Sequence, residues 1–334
     1  MSARPRGGDR SADGARDDRR DLWQTTVPLA SRRQLARTLL VTPEVPIQSP
    51  EFIDFARAEL ARGAPPRLMS ACDDLARGQE SPVALWIRGL PIDPDLPATP
   101  GDGHPRKQTR VSEAVLLGIA SRFGDPIAYR DEKDGALVQD VFPIRDERAT
   151  TSNASSEISL DLHTEIAFIR GESPWRVFET SPDFLLLLCL RPPVNDDALT
   201  RVVAARALLS KMPIELHRIL ESPRFRLRAP YSFTRGGDRT RPWSDPVPLV
   251  HDDGAVAFDL ACGVQACDDD AQRALDAVRA TAARPDLGQC IALDRGDLLV
   301  IDNRRALHGR SSFTATFTGD DRWIQRVYVR RGGA

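Results

Sequence analysis

The chain has 334 residues, 41% hydrophobic and 28% charged, enough apolar content to bury a sizeable core. Its 46 basic and 48 acidic residues leave a net charge of -2 without a basic face, which argues against nucleic acid as a partner. No run of 18 apolar residues marks a membrane span, and no secretory leader opens the sequence, so a cytoplasmic protein is expected. Residues 1–22 mix arginine, aspartate and glycine with almost nothing apolar and read as a disordered tail. Five scattered cysteines (Cys72, Cys189, Cys262, Cys267 and Cys290) contain no CxxC pair and signal neither a disulfide framework nor a thiolate zinc site.

Val83–Pro91 reads as a buried strand closed by Gly89 and Pro91, followed by a Pro/Gly-rich loop. Thr109 is a candidate cap for a helix whose apolar positions Val111, Val115, Ile119 and Phe123 recur every four residues. "ALVQDVFP" and "ISLDLHTEIAF" read as strands separated by a polar loop, and "DFLLLLCL", apolar on both faces, as a central strand. Helices are expected through "VVAARALLSK", from Pro213 onward, and from the capping aspartates Asp268–Asp270 to Pro285. "DLLVIDN" and "DRWIQRVYVRR" return to strands. Irregularly interspersed helices, with no βαβ alternation and no GxGxxG, exclude a doubly wound sheet.

The chemistry starts from "LDLHTEIAF". On a strand, His163 and Glu165 would share a face about 6–7 Å apart and could ligate one metal ion. Alone the pair means little, since five histidines among 48 acids in 334 residues give about 0.7 such pairs by chance. The best third ligand is His308, just beyond an apolar strand, and the set then matches the 2-His-1-carboxylate triad of non-haem iron(II). His104, His217 and His251 read as structural or solvated. In the last strand Arg322, Ile324, Arg326 and Tyr328 alternate with Trp323, Gln325, Val327 and Val329, so two guanidinium groups project from one face of an apolar strand. Their natural partners are small carboxylates.

"HTEIAF", "DNRRALHGRSSF" and "DRWIQRVYVRR", with "RGLP", "GDPIAYRDEKDGALVQDVFP" and "CLRPP" followed by "ALTRVVAA", resemble the clavaminate synthase-like iron(II)/2-oxoglutarate-dependent oxygenases, a family with hydroxylases of free amino acids such as arginine and asparagine. The resemblance spans roughly Trp86 to Arg330. It implies a mainly β core folded as a double-stranded β-helix (a cupin-like jelly roll) flanked by helices, with residues 23–331 forming one oxygenase domain. It further implies that His163, Glu165 and His308 bind iron and that Arg322, fourteen residues after His308, holds the distal carboxylate of 2-oxoglutarate with help from Thr200. Arg326 would grip the substrate α-carboxylate, Gln139 the amino acid backbone, Glu165 the ammonium and Asp259 the substrate side chain. The expected reaction hydroxylates C3 or C4 of a free polar or basic L-amino acid with O2, releasing succinate and carbon dioxide. A carrier-bound substrate and desaturation stay open.

Two departures stand out: "IRGESPWRVFETSP" inserts extra residues after "HTEIAF", and Ala261 stands two residues after Asp259, which puts an arginine substrate in doubt. The rival readings are a zinc hydrolase using the same His2Glu set, against which the absence of HExxH counts, and an inactive cupin-like binding module. The residues give no oligomeric state.

Overall fold

The central strand of the larger sheet is the apolar run anticipated from the sequence. The computed structural model describes residues 21–78, 82–129, 132–147, 157–168, 181–195, 198–229, 242–260 and 263–332. Strand β6 (Phe184–Arg191) lies between β11 (Leu298–Asp302) and β13 (Trp323–Arg330), antiparallel to both. Beyond β11 the sheet continues through β2 (Ala84–Arg88) to β1 (Leu22–Thr26), which runs parallel to β2. Beyond β6, β13 pairs with both β3 (Asp125–Ile127) and β4 (Gln139–Val141). A second sheet has the order β10 (Gln289–Ile291), β7 (Thr200–Ala204), β12 (Ala306–Arg310), β5 (Leu160–His163). The short strands β8 (Phe225–Leu227) and β9 (Val264–Ala266) pair separately.

Strand alternation sorts the core into three layers. Leu185, Leu187, Leu299, Ile301, Ile324 and Tyr328 of the larger sheet meet Val202, Ala204, Ile291 and Ala306 of the smaller one between the sheets. The opposite face of the larger sheet, through Leu186, Leu188, Val300, Trp323 and Val327, packs on helices α1 (Leu29–Leu39), α2 (Pro50–Gly63), α3 (Pro66–Ala76) and α4 (Val111–Ala120). The smaller sheet turns Leu162, Val203 and Leu307 outward against α7 (Asp269–Ala282), with α5 (Ala205–Leu209) and α6 (Ile214–Leu220) nearby. Two facing, mostly antiparallel sheets wrapped by helices make a double-stranded β-helix, as the sequence resemblance implied. No helix among the described residues is long and apolar enough to cross a membrane.

Three local expectations are corrected. Val202–Ala204, read as the start of a helix, form β7, because these residues complete the pairing of β12 and only Ala205–Leu209 turn helical. The strand expected through Phe168 ends at His163, and the chain turns at Glu165 and Ile166. Thr109 does not cap α4: its hydroxyl donates to Asp93 Oδ1 (2.6 Å), and Asp93 itself accepts the first helical N–H groups, from Val111 (3.2 Å) and Ser112 (3.3 Å). Asp268, in contrast, caps α7 as expected by accepting the Ala271 N–H. Residues 1–20, the insertion at 169–180, Ala261 and Cys262 lie outside the described residues.

Asp93 begins a buried polar chain between α4 and the larger sheet. The Lys107 ammonium donates to Asp93 Oδ2 and Glu113 Oε2, both at 2.6 Å, with only 6% of its side chain exposed. Gln325 Nε2 donates to Glu113 Oε1 (3.0 Å) and Asp140 Oδ1 (3.2 Å), and the Trp323 indole also donates to Asp140 (2.7 Å). Burial works against the charge of Asp93, but Lys107 outweighs it and holds the carboxyl below its ordinary value. A group whose folded value is depressed stabilises fully above its unfolded value and loses that contribution as pH falls through the folded one. Lys107→Met leaves two buried carboxylates without their cation and is expected to cost about 3–5 kcal/mol at pH 7. Urea midpoints measure this, with the gap to the parent protein narrowing below about pH 4.

Candidate metal centre

His163 and His308 meet as directly opposed residues of the antiparallel pair β5 and β12, so their side chains share a face, with ring centroids 4.4 Å apart. Glu165 arrives by a different route. Beyond β5 the Thr164 N–H donates to the Phe258 carbonyl (2.7 Å), and Ile166 takes a positive φ of 51° in the turn that follows. Such backbone in a β-branched residue costs on the order of 1–3 kcal/mol and persists only where its surroundings enforce it. Asn303 is the enforcing residue. Its Oδ1 accepts the Glu165 N–H (2.7 Å), while its Nδ2 donates to the Glu165 carbonyl (3.1 Å) and the Pro182 carbonyl (2.8 Å). Glu165 Oε1 thereby stands 3.4 Å from His308 Nε2 and 4.0 Å from His163 Nε2. One ligand atom from each residue falls within 4.8 Å of the others.

The donor chemistry fits a divalent cation. His163 Nδ1 lies 2.8 Å from the Asp161 carbonyl, which can only accept, so the proton sits on Nδ1 and the Nε2 lone pair faces the cluster. Burial, and then His308, push the His163 pKa down, which favours the neutral imidazole a metal requires. Burial also opposes the charge of Glu165, yet Arg326 and the two histidines overcome it and keep the carboxyl ionised, well below the usual carboxylate range. Two imidazoles and one carboxylate converge here, the donor set of the facial triad.

On one flank lies Arg326, the cross-strand neighbour of Gln139. Its Nε donates to Gln139 Oε1 (3.0 Å), Nη2 to Glu132 Oε1 (2.6 Å) and Nη1 to Glu165 Oε1 (3.4 Å). The Tyr328 hydroxyl is within donating distance of Glu132 Oε1 (3.2 Å) and Glu165 Oε2 (3.1 Å). Glu132 Oε2 is buried and has no hydrogen-bond partner among the described residues. Burial disfavours the Arg326 charge, but Tyr328, Glu132 and Glu165 raise its pKa above the ordinary guanidinium value.

On the other flank, Thr200 at the start of β7 and Arg322 just before β13 line the same cavity as the three metal-ligand candidates. Arg322 has no acidic ion-pair partner among the described residues, and burial pushes its pKa down to about 10. Asp259 is buried and bridges to His163 through the backbone, beside the turn that carries Glu165. Of the site residues expected from the sequence, His163, Glu165, Thr200, His308, Arg322 and Arg326 line one cavity, Gln139 bonds to Arg326, and Asp259 stands opposite His163. His217 is elsewhere, its Nε2 2.9 Å from the Leu209 carbonyl. Glu132, Asn303 and Arg310, which also lines the cavity, escaped the sequence reading.

The profile of the Taurine catabolism dioxygenase TauD, TfdA family matches residues 106–328. The chain is 36% identical to the L-asparagine oxygenase of Streptomyces coelicolor over 249 residues, 74% of this chain and 70% of that protein. The crystal structure of asparagine oxygenase with Fe(II), 2S,3S-3-hydroxyasparagine and succinate matches with a TM-score of 0.80 at 30% identity, covering 92% of this chain and 93% of that one. The non-heme iron oxygenase OrfP, in complex with Fe and alpha-ketoglutaric acid, matches with a TM-score of 0.75 at 26% identity, covering 92% and 94%.

If the triad holds iron, His308→Ala abolishes tight binding of one Fe(II) per chain in anaerobic equilibrium dialysis. Asn303→Ala loosens the turn without removing a ligand and is expected to weaken binding about 10- to 100-fold. Unchanged affinity in both variants places the ion elsewhere.

Proposed function

The chain belongs to the TauD, TfdA family of dioxygenases, and from that premise we propose that it is an iron(II)- and 2-oxoglutarate-dependent oxygenase that hydroxylates C3 or C4 of a free polar or basic L-amino acid. His163, Glu165 and His308 are the residues that would hold the ion. When bound there with 2-oxoglutarate, iron(II) supplies oxygen activation, and the reaction releases succinate and carbon dioxide beside the hydroxylated product.

The carrying observation is the flank built from Arg326, Glu132, Glu165 and Gln139. A guanidinium for a carboxylate stands beside two carboxylates for an ammonium, all within one buried cluster next to the triad. That is the complement of an amino acid zwitterion. Before substrate binds, Arg326 is paired with both Glu132 and Glu165, which leaves one net negative charge in the cluster to meet a cationic group. An incoming α-carboxylate takes over contacts of Arg326, and the freed acids then face the ammonium, for which Glu132 Oε2 offers an unused acceptor. Held at both ends of its α-carbon, the substrate directs its β and γ carbons toward the metal side of Glu165. Asp259, opposite His163 in the backbone pairing, would meet a polar or basic side chain. Arg322 and Thr200 form the opposite flank, which suits the distal carboxylate of the cosubstrate.

A hydrolytic zinc site has no need of this second guanidinium pocket, so the oxygenase reading accounts for more of the buried charge. Anaerobic addition of 2-oxoglutarate to the Fe(II) protein should produce a weak visible charge-transfer band. In a succinate-release screen, free polar and basic L-amino acids should stimulate turnover, while N-acetylated and thioester-linked forms leave it at background. Glu132→Gln is expected to raise the amino acid KM about 10- to 100-fold, the loss of one charged hydrogen bond, with 2-oxoglutarate affinity unchanged. Succinate release that no amino acid stimulates, or equal turnover of the blocked forms, sinks the proposal.

A further inference from the structure

We propose that Arg310 is a second cationic residue of the cosubstrate pocket, acting with Arg322 on the distal carboxylate and making the site selective for a 2-oxo dicarboxylate over a 2-oxo acid with a neutral tail. The inference rests on the reading that Arg322 and Thr200 hold the cosubstrate.

Placement carries the argument. Arg310 follows His308 by two residues on β12, so both side chains point into the barrel. In the pairing with β7, His308 opposes Val202 and Arg310 opposes Thr200, which sets Arg310 beside the threonine assigned to the same carboxylate. Arg310 lines the cavity shared by Thr200, Arg322 and the metal-ligand candidates and is only 7% exposed. On its other side the register with β5 shifts between His308 and Arg310. Gly309 allows that irregularity, because a Cβ there would meet the Leu160 carbonyl oxygen at 2.7 Å.

The guanidinium is also held in orientation. Its Nε donates to the Ser311 carbonyl (3.3 Å), Nη2 donates to the Ile158 carbonyl, and the group lies over the Phe313 ring, 4.7 Å from its centroid. These carbonyl dipoles and the ring face help to fix its position. Arg326, four residues beyond Arg322, meets two carboxylates, whereas the Arg310 and Arg322 end of the cavity brings two guanidinium groups together. Like charges in a buried pocket are costly until an anion joins them. A distal carboxylate is such an anion, and a neutral alkyl tail is not.

The test pairs residue with ligand. Anaerobic Fe(II) protein is titrated with 2-oxoglutarate and with 2-oxovalerate, which keeps the five-carbon chain but lacks the distal carboxylate, and the visible charge-transfer band is followed. Arg310→Met should weaken 2-oxoglutarate about 10- to 100-fold while leaving 2-oxovalerate within about twofold. Arg310→Lys should recover part of the loss. General damage to the fold weakens both ligands equally, and that result, or no change in either, overturns the proposal. Arg322→Met in the same cycle separates the two claims. Coupling at Arg322 without coupling at Arg310 removes only the role of Arg310, whereas no coupling at Arg322 removes the cosubstrate reading beneath it.

Discussion

The smaller sheet depends on the register of β12, which pairs on one side with β5 and on the other with β7. Its residues alternate between two apolar environments: Ala306 faces the space between the sheets, and Leu307 faces the layer containing α7. Because both faces are buried, a slip of one residue would drive an imidazole and a guanidinium into the outer helical layer and bring Leu307 and Gly309 to the cavity. Hydrophobic burial thus holds His308 opposite His163 and Arg310 opposite Thr200, and the polar site inherits its geometry from apolar neighbours that touch none of the reactants.

The larger sheet constrains its contribution in a similar way, with buried polar contacts added. Arg326 and Tyr328 face the cavity, while Trp323 and Gln325 reach the opposite side, where both donate to Asp140 and Gln325 also donates to Glu113. Asp140 adjoins Gln139, the cross-strand neighbour of Arg326. One pair of strands therefore presents the proposed amino acid contacts on its inner face and is tied to α4 through its outer face. The buried Lys107 balances part of the negative charge that this arrangement places under the helix. A rigid backing of this kind matters because a guanidinium fork recognises a carboxylate only within a narrow range of orientations.

The parts of this site that were legible in the sequence are those carried by strong local patterns. His308 follows an apolar strand, and Arg322 and Arg326 share a face by simple alternation. Other parts were hidden because their partners are remote in the chain: Glu132 meets Arg326 across 194 residues, and Asn303 pins Glu165 across 138. Neither contact has a periodic signature. Helices α2 and α3 did have one, with Phe52, Ala56 and Leu60 four residues apart and Ser49 capping ahead of Pro50. The Val202–Ala204 segment misled because a short apolar run suits either a helix or a buried strand, and its pairing with β12 decided the matter.

Glu165 joins the two histidines by a geometry other than the one that strand alternation suggests. Alternation along a strand would separate His163 and Glu165 by about 6–7 Å and point both from a flat edge. In the folded chain the strand stops, the turn at Ile166 carries the backbone away, and the glutamate reaches back so that Oε1 approaches both imidazoles and Arg326 while Oε2 meets Tyr328. A glutamate spans this distance from a turn, and an aspartate, one methylene shorter, would have to give up either the histidines or the Arg326–Tyr328 side. The same carboxylate consequently belongs to the proposed metal centre and to the proposed amino acid subsite. Occupation of either proposed site would therefore change the charge felt at the other.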